Sequence, residues 1–186
     1  TFEPRASLRI TTTTVTAPNP AAVNQNQPFN VTVQIQNTGV ADARNVVVGM
    51  STNSASIIQP VTPLAVVPGG QTVAYSLPVV GAAVADPSET FTTTLATAID
   101  ENSGLPGLVT LTNPPVDATA TLAIETPAAV NVASVRPSQP SVTRGQTNPW
   151  SVIVRLVNNG QSDAVLTTPA EDDLAFALAG ATKIDY

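Results

Sequence analysis

The chain contains no cysteine and no histidine. That double absence removes the ordinary ligands of structural zinc, haem iron and iron–sulfur clusters. It also removes the usual general base of a serine or cysteine nucleophile. Lysine and arginine number only 7 against 13 aspartates and glutamates, for a net charge of −6 and a pI near 4.3. A nucleic-acid-binding surface needs a basic stripe to displace counterions, and an anionic bilayer needs a polybasic segment. Scattered cations supply neither. Apolar runs are short as well, none approaching the roughly 20 residues that would span a bilayer. Charge of either sign is scarce, at 11% of residues, against roughly 25% in an ordinary soluble protein. The lack of cysteine does not by itself choose a compartment. The chain opens at Thr1 with no leader segment, as a processed form or a cut piece would.

What fills the space is apolar residues, at 42%, with threonine, asparagine, glutamine and serine and 17 prolines. Branching at Cβ suits valine and threonine to pleated, half-buried surfaces. Phe29-Asn30-Val31-Thr32-Val33-Gln34-Ile35-Gln36 alternates apolar and polar residues without a fault. That is the period of a strand with one face on a core and one in water. Asn37-Thr38-Gly39 follows as a turn, with Gly39 free to take a positive φ. Further runs stand at Leu8–Val15, Arg44–Ser51, Pro63–Val67, Gln71–Leu77, Glu89–Ile99, Leu108–Leu111 and Ala118–Ile124. In Gln71–Leu77 the inward residues are Val73, Tyr75 and Leu77. In Glu89–Ile99 they are Phe91, Leu95 and Ile99, with Thr93 and Thr97 on the same face. Pro68-Gly69-Gly70 closes one run and Asp100-Glu101-Asn102-Ser103-Gly104 another. Only Asp172–Gly180 has the look of a short helix. Short strands between Gly, Pro and Asn turns predict an all-β chain, a sandwich ahead of a barrel.

The chain repeats its own opening. Phe29-x-Val31-x-Val33-x-Ile35-x-Asn37-x-Gly39 returns as Trp150-x-Val152-x-Val154-x-Leu156-x-Asn158-x-Gly160, at a constant offset of 121 residues (158 less 37, 160 less 39). Gln25 matches Gln146, and Asp42-Ala43 matches Asp163-Ala164. The repeat predicts one sandwich unit over residues 8–124, a linker at 125–129 and a second, incomplete unit over 130–186. Phe29 and Trp150, at equivalent positions on an apolar face, are expected as the core plug of each unit.

The stretch 27–48 ends an alternating strand in Asn-Thr-Gly, passes small residues and enters a Val-rich strand, and Val67-Pro68-Gly69-Gly70-Gln71 follows. It resembles the CARDB-type domains (cell-adhesion-related domains of bacteria) and similar Asn-x-Gly repeat domains of prokaryotic surface proteins. The resemblance covers about residues 8–80 and again 130–165. It implies tandem immunoglobulin-like sandwiches on a large extracellular or cell-surface protein. These motifs specify turns and core positions rather than a site, so they carry fold better than function.

Candidate chemistry is sparse. Asp100, Glu101 and Asn102 are hard oxygen donors in a turn, the type Ca²⁺ takes, and Glu171-Asp172-Asp173 form a second such group. Neither has the Asp-x-Asp-x-Asp-Gly spacing of a calcium loop, so no cofactor is expected beyond this weak Ca²⁺ candidate. Trp150 and Tyr75 would suit a sugar-stacking platform only if they left the core. Lys183 is the sole lysine, so the first unit cannot form a Lys–Asn isopeptide staple. Asn30-Val31-Thr32 is a glycosylation sequon on the wet face of its strand. The expected role is a non-catalytic spacer, adhesive or display module whose partners are neighbouring domains or neighbouring subunits. Two alternatives are a filament or layer subunit completed by strand exchange, with Leu8–Val15 as donor, and a ligand-binding accessory module of a secreted hydrolase.

Overall fold

A computed structural model of the chain describes residues 3–166. Among these residues there is no helix, and every regular element is a strand. The chain divides into two compact units, Thr1–Pro127 with Gly160–Ser162, and Ala128–Asn159 with Asp163–Tyr186.

In the first unit, β1 (Ser7–Thr16), β3 (Pro28–Asn37), β5 (Ile57–Ile58), β7 (Thr72–Val80) and β9 (Thr110–Thr112) form a sheet in the order β5-β7-β3-β1-β9. A second sheet holds β2 (Ala22–Asn24), β4 (Ala43–Thr52), β6 (Leu64–Val67), β8 (Asp86–Asp100) and β10 (Thr119–Glu125), ordered β2-β10-β8-β4-β6. β1 pairs with β9, and β10 with β2, in parallel; the other pairings are antiparallel. The four edge strands hold only two to four residues each. Very short edge strands are one way in which sheets avoid offering a long, flat edge to another chain.

The alternation in β3 has the consequence the strand period demands. Phe29, Val31, Val33 and Ile35 are buried while Asn30, Thr32, Gln34 and Gln36 face outward. With Leu8, Ile10, Leu77 and Val79 they meet Val46, Val48, Phe91, Leu95, Leu122 and Ile124 of the other sheet in one core. Val73 and Tyr75 are partly buried against it. Phe29 meets Phe91 edge to face, with ring centroids 5.7 Å apart and planes at 76°, the arrangement the ring quadrupoles favour. Two sheets packed around one such core make an immunoglobulin-like β-sandwich. Each large aliphatic side chain buried there contributes about 1.5–3 kcal/mol. Polar groups inside are paired: Thr13 and Thr93 bridge the sheets through their hydroxyls at 2.9 Å, and Thr93 also donates to the Ala118 carbonyl at 3.0 Å. No buried side-chain nitrogen or oxygen among the described residues lacks a partner.

Three details differ from the pattern reading. β2 and β5 were not expected. In β8, Thr97 is exposed and Ile99 only half-buried, while Ala98 and Asp100 turn inward. The cause is a double irregularity against β4: its pairing runs Arg44↔Ile99, Val47↔Thr97, Val48↔Leu95. The first step adds a residue on β4, where Asn45 has φ 49°. The second adds one on β8, and an extra residue flips every later side chain to the opposite face. Finally, Leu8–Val15 is no spare donor strand. β1 lies between β3 and β9, with Leu8 and Ile10 fully buried.

The second unit, where described, is one antiparallel pair, β11 (Val130–Pro137) with β12 (Val152–Asn158). β10 runs through Glu125, so the residues expected as a free linker shorten to those between it and Val130. Residues 171–173, Lys183 and the helix expected at 172–180 lie outside the described residues.

Candidate functional site

Two regions hold the residues the sequence singled out: the turn cluster at one end of the first unit, and the face of the β11–β12 pair.

Asn37 ends β3 with its side chain fully buried. Its Nδ2 donates to the carbonyls of Ala41 at 2.9 Å and Val67 at 3.1 Å. Its Oδ1 accepts from the N–H groups of Ser7 at 3.1 Å and Gly39 at 3.0 Å. That uses both donors and both lone pairs of one amide, tying β1, β3, β6 and the connecting turn together. Gly39 does not take the positive φ expected of it; a Cβ there would lie 2.0 Å from the Arg5 carbonyl oxygen. It is glycine because backbone passes where a side chain would be. Gly69 is held the same way against Val40, while Gly70 does need the left-handed region, at φ 71°. Asp42 Oδ1 accepts from Gly69 N–H at 2.8 Å, and Gly70 N–H donates to the Gly39 carbonyl at 3.0 Å. The Asn-x-Gly and Pro-Gly-Gly motifs are thus two sides of one lock.

The three Ca²⁺ candidates border this lock but do not converge. Asp100 is buried, its Oδ2 accepting from Ala6 N–H at 2.9 Å and its Oδ1 from Ser103 N–H at 3.0 Å. The Ala6 bond, ahead of opposing desolvation and aided by Ser103 and Asn102, holds its carboxyl below the usual aspartate range. Glu101 pairs with Arg44 at 2.5 Å, and Asn102 donates to Glu3 at 3.1 Å. Among the described residues no group of three acidic side chains could hold a metal ion. A carboxylate that sequence reasoning missed is Glu89, fully buried. It accepts from the Thr52 hydroxyl at 2.5 Å, the Ser56 N–H at 3.2 Å and the Ser56 hydroxyl at 2.6 Å. Ser56 Oγ in turn accepts from Ala82 N–H at 3.0 Å. The only sequence signal was a glutamate at an inward position of an alternating strand. Asp100 and Glu89 thus hold neighbouring loops in place through backbone and hydroxyl hydrogen bonds. Tyr75 donates its hydroxyl to the Thr62 carbonyl, and Asn30 stands exposed on β3.

The second region repeats the first in hydrogen-bond detail. β1–β3 pairs Leu8↔Asn37 and Ile10↔Ile35, slips one residue, then pairs Thr12↔Gln34 and Thr13↔Val33. β11–β12 pairs Val130↔Asn158 and Val132↔Leu156, slips at the same place, then pairs Ser134↔Arg155 and Val135↔Val154. Ser7 N–H to Asn37 Oδ1 is matched by Ala129 N–H to Asn158 Oδ1 at 2.9 Å. Thr38 N–H to the Ser7 carbonyl, 2.8 Å, is matched by Asn159 N–H to the Ala129 carbonyl, 2.9 Å. Even the turn before the second strand recurs. Asn24 and Gln27 exchange two bonds around Asn26 at φ 58°, as Thr143 and Gln146 do around Gly145 at φ 78°. The counterpart of Gln146 is therefore Gln27, not Gln25.

The difference is burial. Val130, Val132, Val135, Trp150, Val152, Val154 and Leu156 occupy the face that in unit one is core. Yet Trp150 is 40% exposed, Leu156 43%, Val135 52% and Val132 60%. Val152 and Val154 are half-buried. The core placement expected for Trp150, Val152, Val154 and Leu156 is thus met in register but not in burial, because no second sheet covers them among the described residues.

No family model and no curated protein matches the chain. Among solved structures it is similar to alpha-2-macroglobulin from Escherichia coli, from domain MG7 to the C-terminus, with 16% identity and a TM-score of 0.41 over 73% of this chain. The match spans 18% of that macroglobulin chain. It is similar too to a CARDB domain from Pyrococcus furiosus, with 15% identity and a TM-score of 0.36, covering 67% of this chain and 95% of that domain. At scores this low, the sandwich assignment rests on strand order, register and the shared core.

Proposed function

We propose that the chain is a non-catalytic structural module, one of a tandem series of sandwiches that spaces or displays other parts of an extracellular or cell-surface protein. The observation that carries this reading is the recurrence of one hairpin, with its slip, its asparagine bonds and its preceding turn, in two successive units. The same turn and core residues stand twice in the sequence, and among the described residues no group of three acidic side chains could hold a metal ion beside them. Asp42, Glu89 and Asp100 of unit one are absorbed in holding loops, and the outward face of β3 is asparagine, threonine and glutamine without charge. Such a surface resists non-specific electrostatic capture. Its short edges resist sheet-to-sheet association. A closed sandwich with its buried polar groups paired is suited to act as a stiff spacer.

Antibody raised against the first unit should label intact, unpermeabilised cells that make the parent protein. Labelling that appears only after permeabilisation would overturn the location. Force spectroscopy checks the spacer role: unit one should unfold in a single step that releases about 40 nm of chain, at roughly 3.5 Å per residue. Gradual yielding without a resolved step would count against a stiff module.

A further inference from the structure

Asn37-Thr38-Gly39 and Asn158-Asn159-Gly160 occupy the same turn of the two hairpins and differ in one residue. In unit one the middle position is threonine. Its N–H and its hydroxyl both donate to the Ser7 carbonyl, at 2.8 Å and 3.2 Å. In unit two the middle position is asparagine, and Asn159-Gly160 is the sole Asn-Gly pair in the chain. The turn itself calls for the glycine: at the equivalent Gly39 a Cβ would meet the Arg5 carbonyl oxygen at 2.0 Å. Asn159 is exposed. Its N–H donates to the Ala129 carbonyl at 2.9 Å, and among the described residues its side chain has no hydrogen-bond partner. Two other asparagines precede a serine, in Asn53-Ser54 and Asn102-Ser103, and both side chains are tied. Asn53 Oδ1 accepts from Thr90 N–H at 2.8 Å, and Asn102 Nδ2 donates to Glu3 at 3.1 Å.

We propose that Asn159 is a site of spontaneous modification, converted to isoaspartate and aspartate through a cyclic imide closed by Gly160. Hydroxide takes the Gly160 N–H proton, and the nitrogen attacks Asn159 Cγ. The new Cγ–N bond closes the ring, the Cγ–Nδ2 bond breaks, and Nδ2 leaves as ammonia with a proton from water. Water then reopens the ring. Cleavage at Cγ gives aspartate; cleavage at the backbone carbonyl gives isoaspartate, with the main chain routed through Cβ and Cγ. The net change turns an amide and a water into a carboxylate and ammonium. Glycine presents no Cβ against ring closure. The turn must also open far enough for the nitrogen to reach Cγ. In unit one the corresponding N–H is held by Asn37, which is fully buried. Asn158 is exposed at the end of a two-stranded pair, where local opening costs least. Isoaspartate adds a carbon to the main chain between Asn158 and Gly160, beside the two bonds that Asn158 and Asn159 make to Ala129. Conversion therefore loosens that end of the second hairpin and leaves unit one intact. The proposal rests on the matched register of the two hairpins and is independent of the location and spacer role.

The test holds the chain 1–186 for weeks in mildly alkaline buffer at body temperature. Peptide mass mapping and labelling by isoaspartyl methyltransferase then locate the products. Asn159 should convert roughly tenfold or more faster than Asn53 or Asn102. Isoaspartate should exceed aspartate, and in heavy-oxygen water each product should carry a single heavy oxygen. Asn159→Thr, which installs the residue unit one uses, should give no methylatable product over the same interval. The urea midpoint of unit one should be the same in the fresh chain, the aged chain and Asn159→Thr. An Asn159 that stays intact in the folded chain and converts only in denaturant would overturn the proposal, because the turn would then be protective. Aspartate formed without isoaspartate would overturn it by removing the imide. Equal conversion at Asn53 or Asn102, methylation that persists in Asn159→Thr, or a midpoint of unit one that falls on ageing would each contradict it as well.

Discussion

The hairpins β1–β3 and β11–β12 share a register, a slip and a pair of asparagine hydrogen bonds, and differ in almost everything that contributes stability. In the first, every inward side chain meets an opposing sheet; in the second, the same positions stand largely in the open. The two hairpins thus keep one backbone pairing while their inward faces differ in burial among the described residues. A two-stranded pair is marginal in water by itself. What turns such a pair into a domain is apolar area removed from solvent, at about 25 cal/mol per Å².

Substitutions at matched positions should widen or close this gap. The largest effect is expected at the aromatic plugs. Phe29→Ala should destabilise unit one by about 3–5 kcal/mol through lost transfer energy and a cavity against Phe91, read as a shifted urea midpoint. Trp150→Ala should leave the transition of unit one where it was. An equal loss from both would mean that the two hairpins do not belong to separate cores.

Next come the asparagines. Asn37→Ala strands two buried carbonyls and two N–H groups, and should cost unit one about 2–4 kcal/mol. Asn158→Ala, in more exposed surroundings, should leave unit one unchanged. A loss under 1 kcal/mol at Asn37 would contradict its role as the lock.

Acid should act on the first hairpin through Asp100. Its folded carboxyl titrates below its unfolded value, chiefly because of the Ala6 N–H bond. Its stabilisation is thus complete above the ordinary aspartate range and is lost as pH falls from there through the depressed folded value. Chemical denaturation across that acid window should show a shallower loss of stability in Asp100→Asn than in the original chain. Identical slopes would remove Asp100 as the cause.

The smallest effect belongs to the inter-sheet hydroxyl pair. Thr13→Val leaves Thr93 its bond to the Ala118 carbonyl, so the cost should be about 1 kcal/mol or less. A thermal shift matching that of Phe29→Ala would show the bridge to be more than a local contact.

Much of this was legible in the residues. The faultless alternation of 29–36 sets the face of β3, and the fixed offset of 121 anticipates a second copy with the same pairing. What stayed hidden has physical reasons. β2 and β5 hold three and two residues, too few to show a period. The slip in β8 comes from two irregularities against β4, and no alternation rule sees a partner strand. Gly39 reads as a conformational glycine, whereas the approach of the Arg5 carbonyl that demands it is a tertiary fact. Gln25 lines up with Gln146 by offset alone, but the second copy carries two extra residues, Thr147-Asn148, before its strand. Trp150 reads as core because its register is that of a core residue; burial needs a covering sheet, which a strand's own pattern cannot supply.

The central claim is that one hairpin is built twice. Solution NMR tests it most directly, through cross-strand contacts between backbone protons. The account predicts Val132 opposite Leu156 and Val135 opposite Val154, with the slip between Val132 and Ser134, mirroring Ile10 opposite Ile35 and Thr13 opposite Val33. A second hairpin paired without that slip, or contacts of helical spacing across 130–158, would contradict it.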